Sequence, residues 1–455
     1  MQDLERQQSI NNERAVLARV VLPDGEKDDD PLSEIAGLAT TAGTEIVGEL
    51  IQRRQSMVSA TAIGKGKVDE LAMLVENHAA DVVIFDNDLN PAQIRNLEKA
   101  SKVKVIDRTE LILDIFASNA RTMEARLAVE LAQLEYSLPR LKRMWTHLSR
   151  IKMGVGMRGP GEKQLEMDRR LVEKRISDLK RELDVILRRK ERQVASRRDV
   201  MTVSLVGYTN AGKSTLMNAL TEADVLAEDK LFATLDTRTR RWHLPNWGPI
   251  LLSDTVGFIR NLPHRLIASF KATLEEARQA DLLLHVADGS NPAVYKQIKA
   301  VYEVLKEIEI EEKDIVLLIN KTDQITEPGV LDQILNRYPN AVPISAYAAE
   351  GFPELAMAVS DALSRTFEDL LIKTSVANGR LMAFLADKGE VLSTRYDETT
   401  VTIHCRLPSR YVGSINRDEA SVEPYNKTPT SPDLTDSFGE LGTPAADPAS
   451  PQSPE

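Results

Sequence analysis

Residues 201 to 220 read MTVSLVGYTNAGKSTLMNAL, and Gly207-Tyr208-Thr209-Asn210-Ala211-Gly212-Lys213-Ser214 within them fits G-x-x-x-x-G-K-[ST] at every position. The apolar run before the motif has strand character and the run after it, beginning at Thr215, has helix character. Strand, glycine-rich loop and helix in that order make the chance reading a minor one. Glycines let backbone N–H groups close around nucleotide phosphates at a helix N-terminus, Lys213 adds charge at the β and γ oxygens, and Ser214 offers a hydroxyl to Mg²⁺.

Further along, three shorter signals extend the site. Asp254-Thr255-Val256-Gly257 follows the apolar strand Ile250 to Leu252, which places Asp254 where it can hold a metal through water and Gly257 where a backbone N–H can meet a γ-phosphate. Asn320-Lys321-Thr322-Asp323 ends a second apolar strand, IVLLI. The Asp323 carboxylate can accept two hydrogen bonds from guanine N1 and N2, which adenine cannot supply, so this motif decides for GTP over ATP if it lies in the pocket. Ser345-Ala346 completes the base loop through a backbone N–H to guanine O6. Between the phosphate loop and Asp254, the segment Phe232-Ala233-Thr234-Leu235-Asp236 carries Thr234, the candidate switch threonine on Mg²⁺. The expected catalytic set is Lys213, Thr234 and Gly257, with Ser214 and Thr234 as metal ligands.

Two positions bear on rate. At the position after D-x-x-G, where a glutamine could orient the attacking water, this chain has Phe258, which has no hydrogen-bonding group, so unaided hydrolysis of a bound nucleotide should be slow. Asn210 stands where some GTPases hold K⁺ beside the phosphates; a loop-stabilising side-chain hydrogen bond is the equal alternative.

The chain has 455 residues, 42% hydrophobic and 28% charged, enough for about three domains with real cores. Apolar runs reach about six residues, far short of the ~20 that span a bilayer. MQDLERQQ lacks a secretory pattern, and Cys405, the single cysteine, can form no internal disulfide. A reducing cytoplasm is expected, and the reading admits peripheral association with a membrane surface. The net charge of −11 argues against nucleic acid, yet residues 140 to 198 hold 19 Lys and Arg against 8 Asp and Glu, a local +11.

That basic stretch is helical by pattern. Leu127, Leu131, Leu134, Leu138, Leu141, Trp145 and Leu148 step by fours and threes, and the steps return at Val172, Ile176, Leu179, Leu183 and Ile186. The pattern predicts an antiparallel coiled-coil arm, with Pro139 a candidate kink. The glycine-rich break between the helices formally matches G-x-G-x-x-G, but it lacks the preceding strand that a dinucleotide site needs. It reads instead as a tip carrying Lys152, Arg158 and Lys163, either as RNA contacts or as ordinary solvated charges. We therefore expect a small α/β domain over 1–118 and the basic hairpin over 119–198. The nucleotide-binding domain follows over 199–366, then a small α+β module over 367–420, read as a helix and a hairpin turning at Asp397-Glu398. Residues 421–455, rich in proline, are expected to be a disordered tail. Gly64-Lys65-Gly66-Lys67 reads as a loop leading into a helix, with no chemistry assigned, and the six scattered histidines suggest no metal site.

Taken together, GYTNAGKSTLMNAL, FATLDTRTRR, DTVGFIRNLPH and GVGMRGPGEKQLEMDRR resemble the HflX family of ribosome-associated GTPases, over about residues 10 to 405. The resemblance implies a P-loop GTPase domain and carries the family's nucleotide and Mg²⁺ roles onto the residues named above. It also implies a cytoplasmic protein that binds the large ribosomal subunit and its rRNA and points the arm's tip towards the peptidyl-transferase region. There it would split or rescue stalled ribosomes under heat stress, and a monomer is expected. One departure is visible: Thr237-Arg238-Thr239 stands where the family usually has Pro-Thr-Thr. Two other classes fit the residues: a GTP-dependent switch that binds a regulatory protein partner through the arm, and an ATP-driven remodeller of ribosomal RNA.

Overall fold

A computed structural model describes residues 12–23, 30–144, 160–195, 200–221, 231–232, 237–245, 248–260, 276–307, 310, 315–365 and 367–425. They fall in two compact units, divided after Arg365.

The first unit opens with a doubly wound α/β layer. Strands β1 (Arg14–Val21), β2 (Glu45–Arg53), β3 (Val82–Phe85) and β4 (Lys104–Asp107) lie in the order β2-β1-β3-β4, all parallel. Parallel strands need crossovers, and helices α1 (Ser33–Thr41), α2 (Lys65–Asn77) and α3 (Pro91–Ser101) supply them. VVIF of β3 is buried at all four positions, as a strand covered on both faces must be. Local chemistry sets the helix ends. Asn90 and Gln93 form a reciprocal capping box on α3 with Pro91 in its first turn. Gly64 precedes α2, whose Lys67 pairs with Glu70 at 2.7 Å, so the GKGK segment leads into a helix as expected.

Helix α4 (Arg108–Asn119) is capped by Asp107, whose carboxylate accepts from Glu110 N at 3.0 Å. It buries Arg108, Thr109, Leu111, Ile112, Leu113, Ile115 and Phe116, more than one stripe of its surface, and so is covered on two sides. Helices α5 (Met123–Met144) and α6 (Pro160–Ala195) form the arm. Leu127, Leu131 and Leu179 are its buried seam, flanked by Leu134, Ile176, Leu183 and Ile186. Pro139 lies inside α5 without ending it. The second half of α5 is fastened to the α/β layer: Tyr136 Oη donates to Asp107 Oδ1 at 2.5 Å, and an Arg140 nitrogen pairs with Asp107 Oδ2 at 2.8 Å. Lys152, Arg158 and the rejected glycine motif lie outside the described residues. Lys163 lies in α6, with its side chain outside them.

The rest of this unit is a six-stranded sheet of β5 (Thr202–Gly207), β6 (Arg238–Leu244), β7 (Gly248–Asp254), β8 (Leu282–Asp288), β9 (Ile315–Asn320) and β10 (Val342–Pro343). Its order is β10-β9-β8-β5-β7-β6, parallel except for β6 against β7. Helices α7 (Lys213–Thr221), α8 (Val294–Glu307), α9 (Val330–Arg337) and α10 (Phe352–Ser364) connect and cover it. On α8, Val294, Ile298, Val301 and Leu305 are buried at spacings of four and three, one face of a helix turned to the sheet. The loops that carry chemistry leave the C-terminal ends of β5, β7, β9 and β10, where open α/β sheets bind ligands.

The second unit differs from expectation in two places. Besides α11 (Gly379–Lys388) and the hairpin β12 (Glu390–Tyr396) and β13 (Thr400–Pro408), it contains β11 (Phe367–Ser375), helix α12 (Ser409–Val412) and β14 (Ala420–Pro424). The antiparallel order is β12-β13-β11-β14. A lone hairpin is marginal in water, and β11 supplies the partner that lets Ile372, Ile403, Cys405 and Leu407 form a core. Residues 421–424, assigned to the tail by composition, form the edge strand on β11, with Leu370 opposite Pro424 and Ile372 opposite Val422. Proline at such an edge costs no ladder bond. Residues 426–455 lie outside the described residues.

Candidate functional site

The phosphate loop runs from the end of β5 into α7. Gly212 has φ +91°, and a Cβ there would sit 2.3 Å from Asn320 Nδ2, so both backbone angle and space require glycine. Lys213 is buried, and its Nζ donates to Gly207 O at 3.1 Å and Tyr208 O at 2.9 Å. Burial pulls its pKa down to about 8, against the opposing pull of Asp254. Asn210 has φ +60° and is exposed.

Beside the loop, Ser214 Oγ donates to Asp254 Oδ2 at 2.6 Å. Burial raises the pKa of Asp254, with Lys213 opposing it. Asp254 Oδ1 is buried with no hydrogen-bond partner, an arrangement that costs free energy unless something occupies it. One hydroxyl next to an orphaned carboxylate oxygen at a phosphate loop suits Mg²⁺, which takes few protein ligands and keeps water and phosphate oxygens. Among the described residues no group of three or more His, Cys, Asp or Glu could hold a metal alone.

After Asp254 the chain turns back onto the phosphate loop. Thr255 Oγ1 donates to Leu205 O at 2.6 Å, Phe258 N donates to Gly207 O at 3.0 Å, and Thr209 N donates to Phe258 O at 2.7 Å. Gly257 lies so close that a Cβ would come within 2.7 Å of Thr209 Cα and 3.2 Å of Lys213 Nζ. Its backbone is thus beside the amine expected to meet the γ-phosphate. Phe258 is buried, and its ring offers nothing to orient water.

The base side closes on Asn320. Its Nδ2 donates to Ala211 O at 2.8 Å, and its Oδ1 accepts from Ala346 N at 2.9 Å. One buried amide therefore ties the phosphate loop to the Ser345-Ala346 loop. Ser345 Oγ donates to Asp323 Oδ1 at 2.6 Å, which aims an exposed carboxylate. Lys321, at φ +61°, pairs with Asp288 at 2.8 Å, and Thr322 Oγ1 donates to Ile344 O. The N–H groups of Ser345 and Ala346 already serve Glu350 O and Asn320 Oδ1. The guanine O6 contact expected of this pair therefore requires one N–H to be shared between two acceptors.

The motif residues Gly207 to Thr215, Asp254 to Gly257, Asn320 to Asp323, and Ser345 with Ala346 thus surround one site. Ala233, Thr234, Leu235 and Asp236 lie outside the described residues. Phe232 is described, and its ring is buried edge-on against Phe116 of α4, with centroids 4.7 Å apart. Phe232 N donates to Thr209 Oγ1 at 2.7 Å, and Phe232 O accepts from Asn119 Nδ2 at 2.9 Å. Sequence reasoning missed the N-terminal partners entirely. Arg108 pairs with Glu34 at 3.0 Å and Asp86 at 2.6 Å, and Glu34 reaches Tyr208 and Arg260. The one available signal was ELILDIF in α4, too broadly apolar for a helix with a single buried face.

A phosphate loop, a D-x-x-G turn and an N-K-x-D segment at the ends of the parallel strands of one sheet define a P-loop GTPase, which hydrolyses GTP to GDP and phosphate. Three family models match: "GTP-binding GTPase N-terminal" over residues 29–117, "GTP-binding GTPase Middle Region" over 119–197, and "50S ribosome-binding GTPase" over 202–321. The chain is 44% identical over 420 residues to the GTPase HflX of Magnetococcus marinus, covering 90% of this chain and 97% of that one. It is 47% identical over 401 residues to the GTPase HflX of Escherichia coli, covering 87% and 94%. The chain belongs to the HflX family of GTPases. A solved GTP-binding protein of Sulfolobus solfataricus in complex with GDP is 25% identical, covering 77% of this chain and 99% of that one with a TM-score of 0.41.

Proposed function

We propose that this GTPase engages the large ribosomal subunit and its rRNA, and that its nucleotide cycle splits or rescues stalled ribosomes under heat stress in the cytoplasm. The observation that carries the reading is the net +11 of residues 140–198 on a chain of net −11. A concentrated basic element joined to a GTPase can displace phosphate counterions locally. The matched description of residues 202–321 as a 50S ribosome-binding GTPase supports the same partner.

Phe258 supports partner stimulation. With no group on this chain to order the attacking water at that position, hydrolysis is slow until the partner supplies order or charge, an effect of ~10³ to 10⁵ in related systems. Ser214 and Thr234, with Asp254 through water, would hold Mg²⁺, which would supply positive charge to the nucleotide phosphates. Asn210 is the candidate K⁺ ligand beside the phosphates, with a loop-stabilising hydrogen bond as the equal alternative, which equal rates in K⁺ and Na⁺ would favour.

The test is sucrose-gradient sedimentation of ribosomes with the full chain and a non-hydrolysable GTP analogue. Co-migration with large subunits and loss of the 70S peak are expected, and replacing Lys152, Arg158 and Lys163 by alanine should flatten the salt dependence of binding. No co-migration at any salt concentration would end the proposal.

A further inference from the structure

We infer that the N-terminal domain is a working part of the phosphate site, with Glu34 and Arg108 as positioning residues that hold the phosphate loop and the segment after Gly257 at one spacing. The inference rests on GTP hydrolysis and not on the ribosome as partner, so it stands or falls separately from the proposal above.

The contacts form a closed ring. Tyr208, second residue of the phosphate loop, donates its hydroxyl to Glu34 Oε1 and accepts from Arg260 N at 2.9 Å. The Arg260 guanidinium returns to Glu34 Oε2 at 2.7 and 2.8 Å. Arg108 closes the ring, pairing with Glu34 Oε1 at 3.0 Å and donating to Arg260 O at 3.0 Å. Asp86 anchors Arg108 at 2.6 Å and is itself held by Arg19 at 3.1 Å. Side-chain exposure is 6% for Arg108 and 11% for Glu34.

Such a ring is an expensive way to glue two domains. Charges lose hydration on burial, and apolar side chains of similar size usually hold surfaces together at least as well. What fixed charges and directed hydrogen bonds add is geometry. That geometry falls on the phosphate chemistry. Tyr208 O is one of the two acceptors of Lys213 Nζ, and Phe258, between Gly257 and Arg260, is paired with Gly207 and Thr209. Glu34 therefore grips both sides of this small patch. Gly257 cannot approach a γ-phosphate independently of Arg260, nor Arg260 shift without Glu34.

A second set of contacts points the same way. Thr41 of α1 accepts from Leu231 N at 3.2 Å, and Phe116 and Asn119 of α4 hold Phe232, two residues before the expected switch threonine. Helices α1 and α4 thus reach every described loop on the phosphate side.

The test uses the full chain with Tyr208→Phe, Glu34→Gln and the double variant. Affinities for GDP and a non-hydrolysable GTP analogue are measured with fluorescent nucleotides, alongside kcat, KM and thermal melts. Tyr208→Phe should lower the preference for triphosphate over diphosphate, and kcat with it, by about three- to tenfold, with KM moving less. Its melting temperature should stay within about 2 °C. Glu34→Gln should do the same more strongly, and the double variant should be no worse than Glu34→Gln, because both break one contact. If the variants only lower the melting temperature and weaken both nucleotides equally, or if their effects on kcat simply add, the ring is glue and the inference fails. Should Glu34→Gln not fold, Tyr208→Phe paired with Arg260→Met decides by the same readouts.

Discussion

The two halves of the nucleotide site are built differently. On the base side, Asn320, Asp323, Ser345 and Ala346 bond to one another and to Ala211, all within the GTPase domain. On the phosphate side, Tyr208, Leu231, Phe232 and Arg260 are each held by a residue of α1 or α4, 113 to 226 positions away in sequence. The base-side residues are thus held within the GTPase domain, and the phosphate-side residues are held jointly with α1 and α4. Base choice can then stay constant while the phosphate loops respond to what the rest of the chain is doing.

The largest effect that would break this division is Asp323→Asn. Replacing an acceptor by a donor at the guanine N1 and N2 contacts should reduce the preference for GTP over ATP by about 10³ or more. The ratio of GTP to GDP affinity should not change. Competition titrations measure both, and a change in the second ratio would mean that the halves are not independent.

A middle-sized effect concerns α4, the helix that supports the phosphate side. Asp114 has a buried oxygen without a hydrogen-bond partner. Burial chiefly, with Glu110 and Glu13 adding and Lys104 opposing, raises its pKa to about 7. The folded state therefore keeps a proton that the unfolded chain releases near its ordinary value, so stability falls as pH rises from about 4 to about 7 and is level above. Asp114→Asn should stabilise the protein by roughly 2 to 4 kcal/mol at pH 8 and by almost nothing at pH 4. Denaturant unfolding at the two pH values measures this, and an equal gain at both would remove the carboxylate as its cause.

The smallest effect sharpens the comparison. Asn119→Ala deletes one hydrogen bond to Phe232 O, worth about 1 kcal/mol. GDP dissociation should quicken by about fivefold or less, with guanine selectivity untouched.

How far the sequence could be read follows the same division. Contiguous motifs gave the base side and the backbone of the phosphate loop, because glycine geometry, a strand end and a helix start are local and leave a fixed spacing. The leucine seam of the arm was equally local. Glu34 and Arg108 carry no spacing signal: each is a charged residue in the first turn of a mostly apolar helix, and its partner is set by how two sheets dock. Strand β11 was hidden for a related reason, since FEDLLIKTS alternates weakly and becomes a strand by pairing with β13 and β14 on its two edges. Proline-rich composition likewise concealed β14, where an edge position makes Pro424 harmless.

Asp107 and Arg108 are consecutive residues at the start of α4. The first receives Tyr136 and Arg140 from the second half of α5, and the second belongs to the ring around Glu34. A pull on the second half of α5 therefore meets, one residue further along the chain, the ring that holds Tyr208 and Arg260, with a single peptide unit between the two.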